Sequence, residues 1–332
     1  MVKIGLLGAG HLGKIHLKLL KEIPSFDVTG FYDPDPEVRQ KVSSEFQVVA
    51  FPDIESLIDA SEAVDIVTPT LSHFSCAALA LRNGRHVFIE KPLTHTVAEA
   101  EELLTIAAEN PGLTVQVGHV ERFNPAFLAV NQASLRPMFM EGHRLAVYNP
   151  RGTDVSVVLD LMIHDLDVVL SLVNAPVRTI SASGVAVISD SPDIANARIE
   201  FENGCVANLT ASRISIKNMR RLRIFQKDTY LAVDFLKKST EVFRLADPAV
   251  EDLENKMKFE FNRGDEQRFL LFEQPEVKPV NAIQMELEEF AASILHQQPV
   301  RVSLRDGYRA LRVAHEILAE IDRNTRAYEK VV

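Results

Sequence analysis

Val2-Lys3-Ile4-Gly5-Leu6-Leu7-Gly8-Ala9-Gly10-His11-Leu12-Gly13-Lys14-Ile15 opens the chain, and its reading decides the fold of the N-terminal region. Ile4 to Leu7 is an apolar run of strand length that passes straight into glycines. Beyond Gly13, apolar residues recur at Ile15, Leu19, Leu20 and Ile23, the spacing of a helix with one buried face, and Pro24 stops it. A strand before the GxGxxG pattern and a helix after it are the context that gives the pattern meaning. Gly8 allows the tight turn, Gly10 lets backbone approach a pyrophosphate, and Gly13 lets helix and strand pack closely. The helix N-terminus at His11 and Leu12 then supplies N–H donors and positive dipole to phosphates.

A second strand, Val28 to Tyr32, ends at Asp33, which lies 20 positions after Gly13. A carboxylate there accepts the ribose hydroxyls and repels a 2′-phosphate, so it favours NAD over NADP. No arginine directly adjoins Asp33 in sequence; Arg39 is six positions on. The bland alternative for Asp33 is a helix N-cap.

Strand and helix keep alternating. Strands are expected at 48–51, 64–68, 87–90 and 114–117. Helices are expected over 36–46, from an Asp53 N-cap, over 72–83, and from the capping box Thr96-Val97-Ala98-Glu99 to about Asn110. Short connections between such elements predict a doubly wound parallel sheet covered on both faces, the Rossmann architecture. After about residue 120 the rhythm changes. Strands are expected at 142–148, 178–188, 195–202, 204–213 and 222–227, with Glu202-Asn203-Gly204 as a hairpin turn. Helices are expected at 124–134, 156–173, 281–297 and 304–323, while 246–281 is charged and unassigned. The division expected is an NAD-binding domain over 1–119 and an α+β domain over 120–332, built on a mostly antiparallel open sheet.

Bulk properties exclude several functions. The 332 residues carry 36 Lys and Arg against 46 Asp and Glu, a net charge of −10, which disfavours a nucleic-acid-binding surface. Cys76 and Cys205 stand in no metal-ligand or CxxC spacing. No apolar run approaches the roughly 18 residues of a membrane span, and the N-terminal apolar run is too short for a signal peptide. A cytoplasmic protein without membrane insertion is expected.

Two further motifs carry chemistry. Glu90-Lys91-Pro92 sits at the carboxyl edge of the parallel sheet, where ligands bind in such folds. A lysine there can polarise a carbonyl or stabilise an alkoxide, and Glu90 can orient it; the alternative is a solvated charge pair. In Asp160-Leu161-Met162-Ile163-His164-Asp165-Leu166-Asp167, Asp160 and His164 are four apart and share a helix face. A carboxylate one turn from an imidazole raises its basicity, which suits proton transfer from a hydroxyl; the alternative is a polar interface patch. One helix bearing three aspartates and a histidine does not surround an ion, so no metal is expected.

Taken together, the glycine loop, Val67-Thr68-Pro69-Thr70 with His73, Gly84 to Pro92 and the His164 helix resemble the glucose–fructose oxidoreductase/inositol dehydrogenase/rhizopine-catabolism (Gfo/Idh/MocA) family over nearly the whole chain. The resemblance implies that Lys91 is catalytic, His164 the proton acceptor and Asp160 its support. It implies Thr68, Pro69, Thr70 and His73 beside the nicotinamide, and homodimers or homotetramers formed through the C-terminal sheet. Gly118-His119-Val120-Glu121-Arg122-Phe123-Asn124-Pro125 further resembles the branch that oxidises nucleotide sugars such as UDP-N-acetylglucosamine at the 3-position. Arg122 and Asn124 would then meet substrate, and Arg151 would face its phosphate. The alternatives are oxidation of a free sugar, inositol or another polyol, and a non-catalytic dinucleotide-binding regulator.

Overall fold

The computed structural model describes residues 1–149, 155–246, 257–263 and 266–329. The chain forms two compact units, one of residues 1–123 with 281–312 and one of 124–280 with 313–332.

The first unit opens with β1 (Val2–Leu7), α1 (His11–Glu22), β2 (Phe26–Tyr32), α2 (Pro36–Phe46) and α3 (Ile54–Ala60). It continues through β3 (Ala63–Ile66), α4 (His73–Arg82), β4 (His86–Glu90), α5 (Val97–Glu109) and β5 (Val115–Gly118). The five strands pair in parallel in the order β2-β1-β3-β4-β5. Every residue of β3 and β5 is buried, as a sheet covered on both faces requires. The helices start where the sequence places them. Asp35 accepts the Glu37 and Val38 amides, Asp53 accepts that of Ser56, and Thr96 with Glu99 closes a capping box. The strand expected at 48–51 reduces to a single bridge between Phe31 and Ala50. Pro52 and the Asp53 cap turn the chain into α3 before pairing can extend.

The second unit contains α6 (Pro125–Leu128), β6 (Phe139–Leu145), α7 (Ile163–Leu172), β7 (Val177–Val185), β8 (Ile194–Phe201), β9 (Val206–Ser212) and β10 (Met219–Gln226). It adds β11 (Thr229–Asp234), β12 (Ser239–Ala246), β13 (Lys258–Arg263) and β14 (Glu266–Glu273). These nine strands form one sheet, ordered β13-β14-β12-β11-β10-β6-β9-β8-β7, antiparallel except for the β6–β9 pair. Thus strands run well into the segment that composition left unassigned. Along β10, Leu222 and Ile224 are fully buried while Arg221, Arg223 and Phe225 lie on the other face. Arg144 of β6 holds Asp165 of α7 through two bonds of 2.8 and 3.0 Å, a buried pair that pins the helix to the sheet. The helix expected at 124–134 is only the short α6 and a 3₁₀ turn, Gln132–Ser134. The Gln132 side chain turns back to donate to the Phe127 carbonyl at 3.3 Å.

The expected division also changes. Residues 281–312, assigned from sequence to the C-terminal domain, belong to the first unit. They comprise α8 (Ala282–His296) and the start of α9 (Leu304–Glu329). The cause is core filling: Leu287, Phe290 and Ala291 of α8 are fully buried with Ile4, Leu20, Ala63 and Phe88. Phe290 meets Phe88 edge-on, with ring centroids 5.8 Å apart. Phe290→Ala is expected to destabilise the protein by about 3–5 kcal/mol. Denaturant unfolding measures the loss, and hydrogen exchange should place it in β1, β4 and α8.

Candidate active site

The carboxyl ends of the parallel strands converge around a cavity of about 550 Å³. Gly8, Gly10, His11 and Leu12 line it after β1, and Asp33 after β2. Thr68 and Pro69 contribute from the end of β3, and Glu90 and Lys91 from the end of β4. This is where an open α/β sheet accepts ligands, beside the strand at which chain order reverses. Tyr32, Ile54, Val67, Ser72 and Cys76 also line the cavity and were not singled out in sequence. Tyr32 and Val67 are legible in retrospect as neighbours of Asp33 and Thr68. Ile54 arrives from another helix and leaves no sequence signal. Burial pushes the Cys76 thiol up to about 11, so it is not a thiolate at neutral pH.

The glycines fit a dinucleotide by steric necessity. Gly8 has φ +90°, and a β-carbon there would stand 2.6 Å from the Val67 carbonyl oxygen. At Gly13 a β-carbon would stand 2.0 Å from the Gly8 carbonyl oxygen. Gly10 faces open space, so only a ligand competes for that position. Gly10 is also the N-cap of α1 and gives no side-chain cap, leaving the first-turn amides to an anion. The residues present therefore fit a pyrophosphate.

Asp33 accepts the Ala9 amide at 2.8 Å through Oδ2 and the Asp35 amide at 3.0 Å through Oδ1. These bonds fix the carboxylate, and each oxygen retains a lone pair for a ribose hydroxyl. The N-cap role that competed for Asp33 falls to Asp35. Arg39, six positions on in sequence, is close in space. Its Nη1 donates to the Asp33 and Pro34 carbonyls, and its guanidinium lies 5.7 Å from the Tyr32 ring centroid.

His73 braces the site from behind, its ring nitrogens 2.8 Å from the Thr68 and Pro92 carbonyl oxygens. Burial pushes its pKa below the ordinary value, opposed by those bonds and by the Glu90 charge. Thr70 begins the 3₁₀ turn Thr70–Ser72 that leads into α4. The Lys91–Pro92 peptide is cis, and Glu90 accepts the Lys91 amide at 3.1 Å. Arg122 lies in the 3₁₀ turn Val120–Phe123 at the end of the first unit.

The remaining expected residues belong to the second unit. Asn124 caps α6 through its Oδ1 and donates to the Phe235 carbonyl at 3.0 Å. Asp160 lies within a π-helical turn, Val158–Met162, and His164 just beyond it in α7. Both are half-buried, and wide turns of this kind recur at functional sites. Arg151 lies outside the described residues. Among the described residues no group of three or more His, Cys, Asp or Glu is placed to hold a metal ion, and no helix is long and apolar enough to cross a membrane.

A parallel sheet in this order, a glycine turn against an uncapped helix N-terminus, and an acidic residue fixed at the end of β2 define a Rossmann dinucleotide-binding oxidoreductase with a second, sheet-based unit. Comparison with known proteins makes this specific. Residues 2–119 match the model of the oxidoreductase family with an NAD-binding Rossmann fold (GFO/IDH/MocA), and residues 133–230 match that family's C-terminal domain. The chain is 34% identical to the UDP-N-acetylglucosamine 3-dehydrogenase of Acidithiobacillus ferrooxidans, over 97% of both chains. It superimposes on the structure of that enzyme with a TM-score of 0.86, covering 97% of this chain and 98% of the other. It is 29% identical to the NAD-dependent scyllo-inositol 2-dehydrogenase of Bacillus subtilis, over 64% of this chain and 68% of that one. Scyllo-inositol dehydrogenase from Lactobacillus casei shares the fold at 21% identity and a TM-score of 0.77, over 98% of each chain. The chain belongs to the GFO/IDH/MocA oxidoreductase family.

Gly13→Ala is expected to weaken NADH binding at least about tenfold, because the β-carbon forces α1 away from the β1 turn. Titration of NADH fluorescence measures it.

Proposed function

We propose that this protein oxidises a secondary hydroxyl of a nucleotide sugar with NAD, with UDP-N-acetylglucosamine at its 3-position as the substrate to test first. The observation that carries the dehydrogenase reading is that Lys91 lines the same cavity as the glycine loop and Asp33. The glycine loop and Asp33 would hold a dinucleotide, and Lys91 would present an amine to the same cavity. The nucleotide-sugar reading rests on the likeness to the Acidithiobacillus enzyme across nearly all of both chains.

Bound NAD supplies the hydride acceptor. The chain's own residues do the rest. Asp33 orients the adenosine ribose, and the α1 amides hold the pyrophosphate. Thr68 and Pro69 border the nicotinamide. His164, supported by Asp160, takes the hydroxyl proton, and the Lys91 ammonium steadies the oxygen as its charge develops. Arg122, Asn124 and Arg151 contact the sugar nucleotide. Lys91→Ala is expected to lower kcat by at least about a thousandfold while NAD affinity stays within a few-fold. An NADH-formation assay with UDP-N-acetylglucosamine tests both, with myo- and scyllo-inositol as the competing substrates. Faster turnover of the inositols by the wild type would replace the nucleotide-sugar reading with a polyol one.

The NAD preference follows from Asp33 together with Arg39. While the carboxylate stands there, a 2′-phosphate is repelled; once it is gone, Arg39 is already in place to receive one. Asp33→Ser is therefore expected to shift the NAD-to-NADP ratio of kcat/KM toward NADP by at least about tenfold.

The outer face of the nine-stranded sheet supports assembly of a cytoplasmic homodimer or homotetramer. Phe139, Phe225, Tyr230, Phe243 and Phe272 form one row across β6, β10, β11, β12 and β14, with successive centroids 5.7, 4.7, 5.5 and 4.9 Å apart. Beside them Arg223 pairs with Glu141, and Arg221 with Glu241 at 3.4 Å. Aromatics beside paired charges on an open sheet suit an interface with a second copy. Tyr230→Lys is expected to convert the oligomer to monomer in sedimentation velocity.

A further inference from the structure

Four ionisable side chains are buried together beneath the cavity, from four different elements. His16 of α1 and Asp65 of β3 are fully buried, with Nδ1 and Oδ2 2.9 Å apart. The opposite ring nitrogen of His16 lies 3.4 Å from Oε1 of Glu90, an ion-pair contact. The other Glu90 oxygen accepts the main-chain N–H of Lys91. Glu286 of α8 is fully buried, near enough to Glu90, His16 and Asp65 for their charges to act on its carboxyl. Both its carboxyl oxygens lack a hydrogen-bond partner, while its main-chain oxygen accepts Nε2 of Gln116 from β5 at 2.8 Å. Gly118 leaves the room Glu90 occupies: a β-carbon there would stand 2.8 Å from Oε1.

Burying three carboxyls beside one imidazole is costly unless charge and proton are shared. Burial alone would push His16 down, but the charge and hydrogen bond of Asp65, followed by Glu90, hold it well above its ordinary value. Against burial, contact with His16 and then Lys91 keeps Glu90 below the usual carboxylate range. Burial raises Asp65, opposed by His16. Burial first, then the Glu90 charge, raises Glu286 well above the usual range. These influences favour a charged His16 between Asp65 and Glu90 and disfavour a charge on Glu286.

We propose that His16 and Asp65 are positioning residues for Lys91: the His16 ring, held by Asp65 at one nitrogen and facing Glu90 with the other, keeps the Glu90 carboxylate against the Lys91 main-chain N–H, and Glu286 closes the buried network. The lysine then follows a carboxylate engaged at both oxygens, by the His16 ring at one and by the Lys91 main-chain N–H at the other. This rests on the reading of Lys91 as a residue of the reaction site, but the network has readouts that need no substrate.

The test uses the full chain with Asp65→Asn, Glu286→Gln and Gly118→Ala. In the wild type the His16 ¹⁵N signals should be those of an imidazolium at neutral pH. Asp65→Asn should convert them to a neutral ring and speed exchange of the Lys91 amide at least about tenfold. It should lower kcat at least about tenfold with KM for both substrates within about threefold. The neutral-acid assignment of Glu286 has its own signature. A carboxyl raised on folding keeps a proton that the unfolded chain releases, so stability falls as pH rises above the ordinary glutamate value. Glu286→Gln removes that dependence, so its stability advantage over the wild type should widen with pH; a flat difference overturns the assignment. Should Asp65→Asn fail to fold, Gly118→Ala displaces the Glu90 carboxylate without touching the His16–Asp65 pair. It should give the same faster Lys91 exchange and lower kcat with His16 still charged. A neutral His16 in the wild type, or unchanged Lys91 exchange and kcat in the variants, overturns the proposal. If no variant, nor the wild type, oxidises any sugar, the functional reading fails while the ¹⁵N and exchange data still decide the network.

Discussion

The structure of the first unit depends on how closely α1 approaches the ends of β1 and β3. Gly8 and Gly13 permit that approach, since side chains at either position would collide with main-chain oxygens. One approach has two consequences. It aims the first-turn amides of α1 into the cavity, and one turn later it delivers His16 to Asp65 at the end of the neighbouring strand. The dinucleotide cradle and the buried charge network are thus two faces of a single helix placement.

The same placement explains why the C-terminal segment returns to this unit. Packing α1 tightly leaves an apolar surface over β1, β3 and β4, which α8 covers with Leu287, Phe290 and Ala291. Glu286 comes with it into the interior. Burial and the Glu90 charge raise the pKa of that carboxyl, which favours its protonated form. Core and polar network therefore stabilise each other.

In the second unit a different logic applies. One face of the nine-stranded sheet is filled by aliphatic side chains and α7, which the buried Arg144–Asp165 pair fixes in place. The other face presents an aromatic row that no element of the described chain covers with a helix. A scaffold of this kind can change its substrate by altering loops while holding α7 in one orientation, consistent with relatives whose names cite different sugars and polyols.

The sequence by itself determined the alternation of the first 119 residues, the helix caps, the glycine turn with Asp33, and the strand-end lysine, because each is written in neighbouring residues. Spacing and turn chemistry are local, and local physics suffices for them. Only the tertiary structure decided what lies beside what. Helix α8 joins a core whose other residues, from Ile4 to Phe88, lie about 200 to 290 residues upstream of it in the chain. His16, Asp65 and Glu286 each read as an unremarkable polar residue in its own segment, and Glu90 only as the neighbour that can orient Lys91. Their meaning is a sum of charges in a low-dielectric interior, and that sum exists only once the four elements have met.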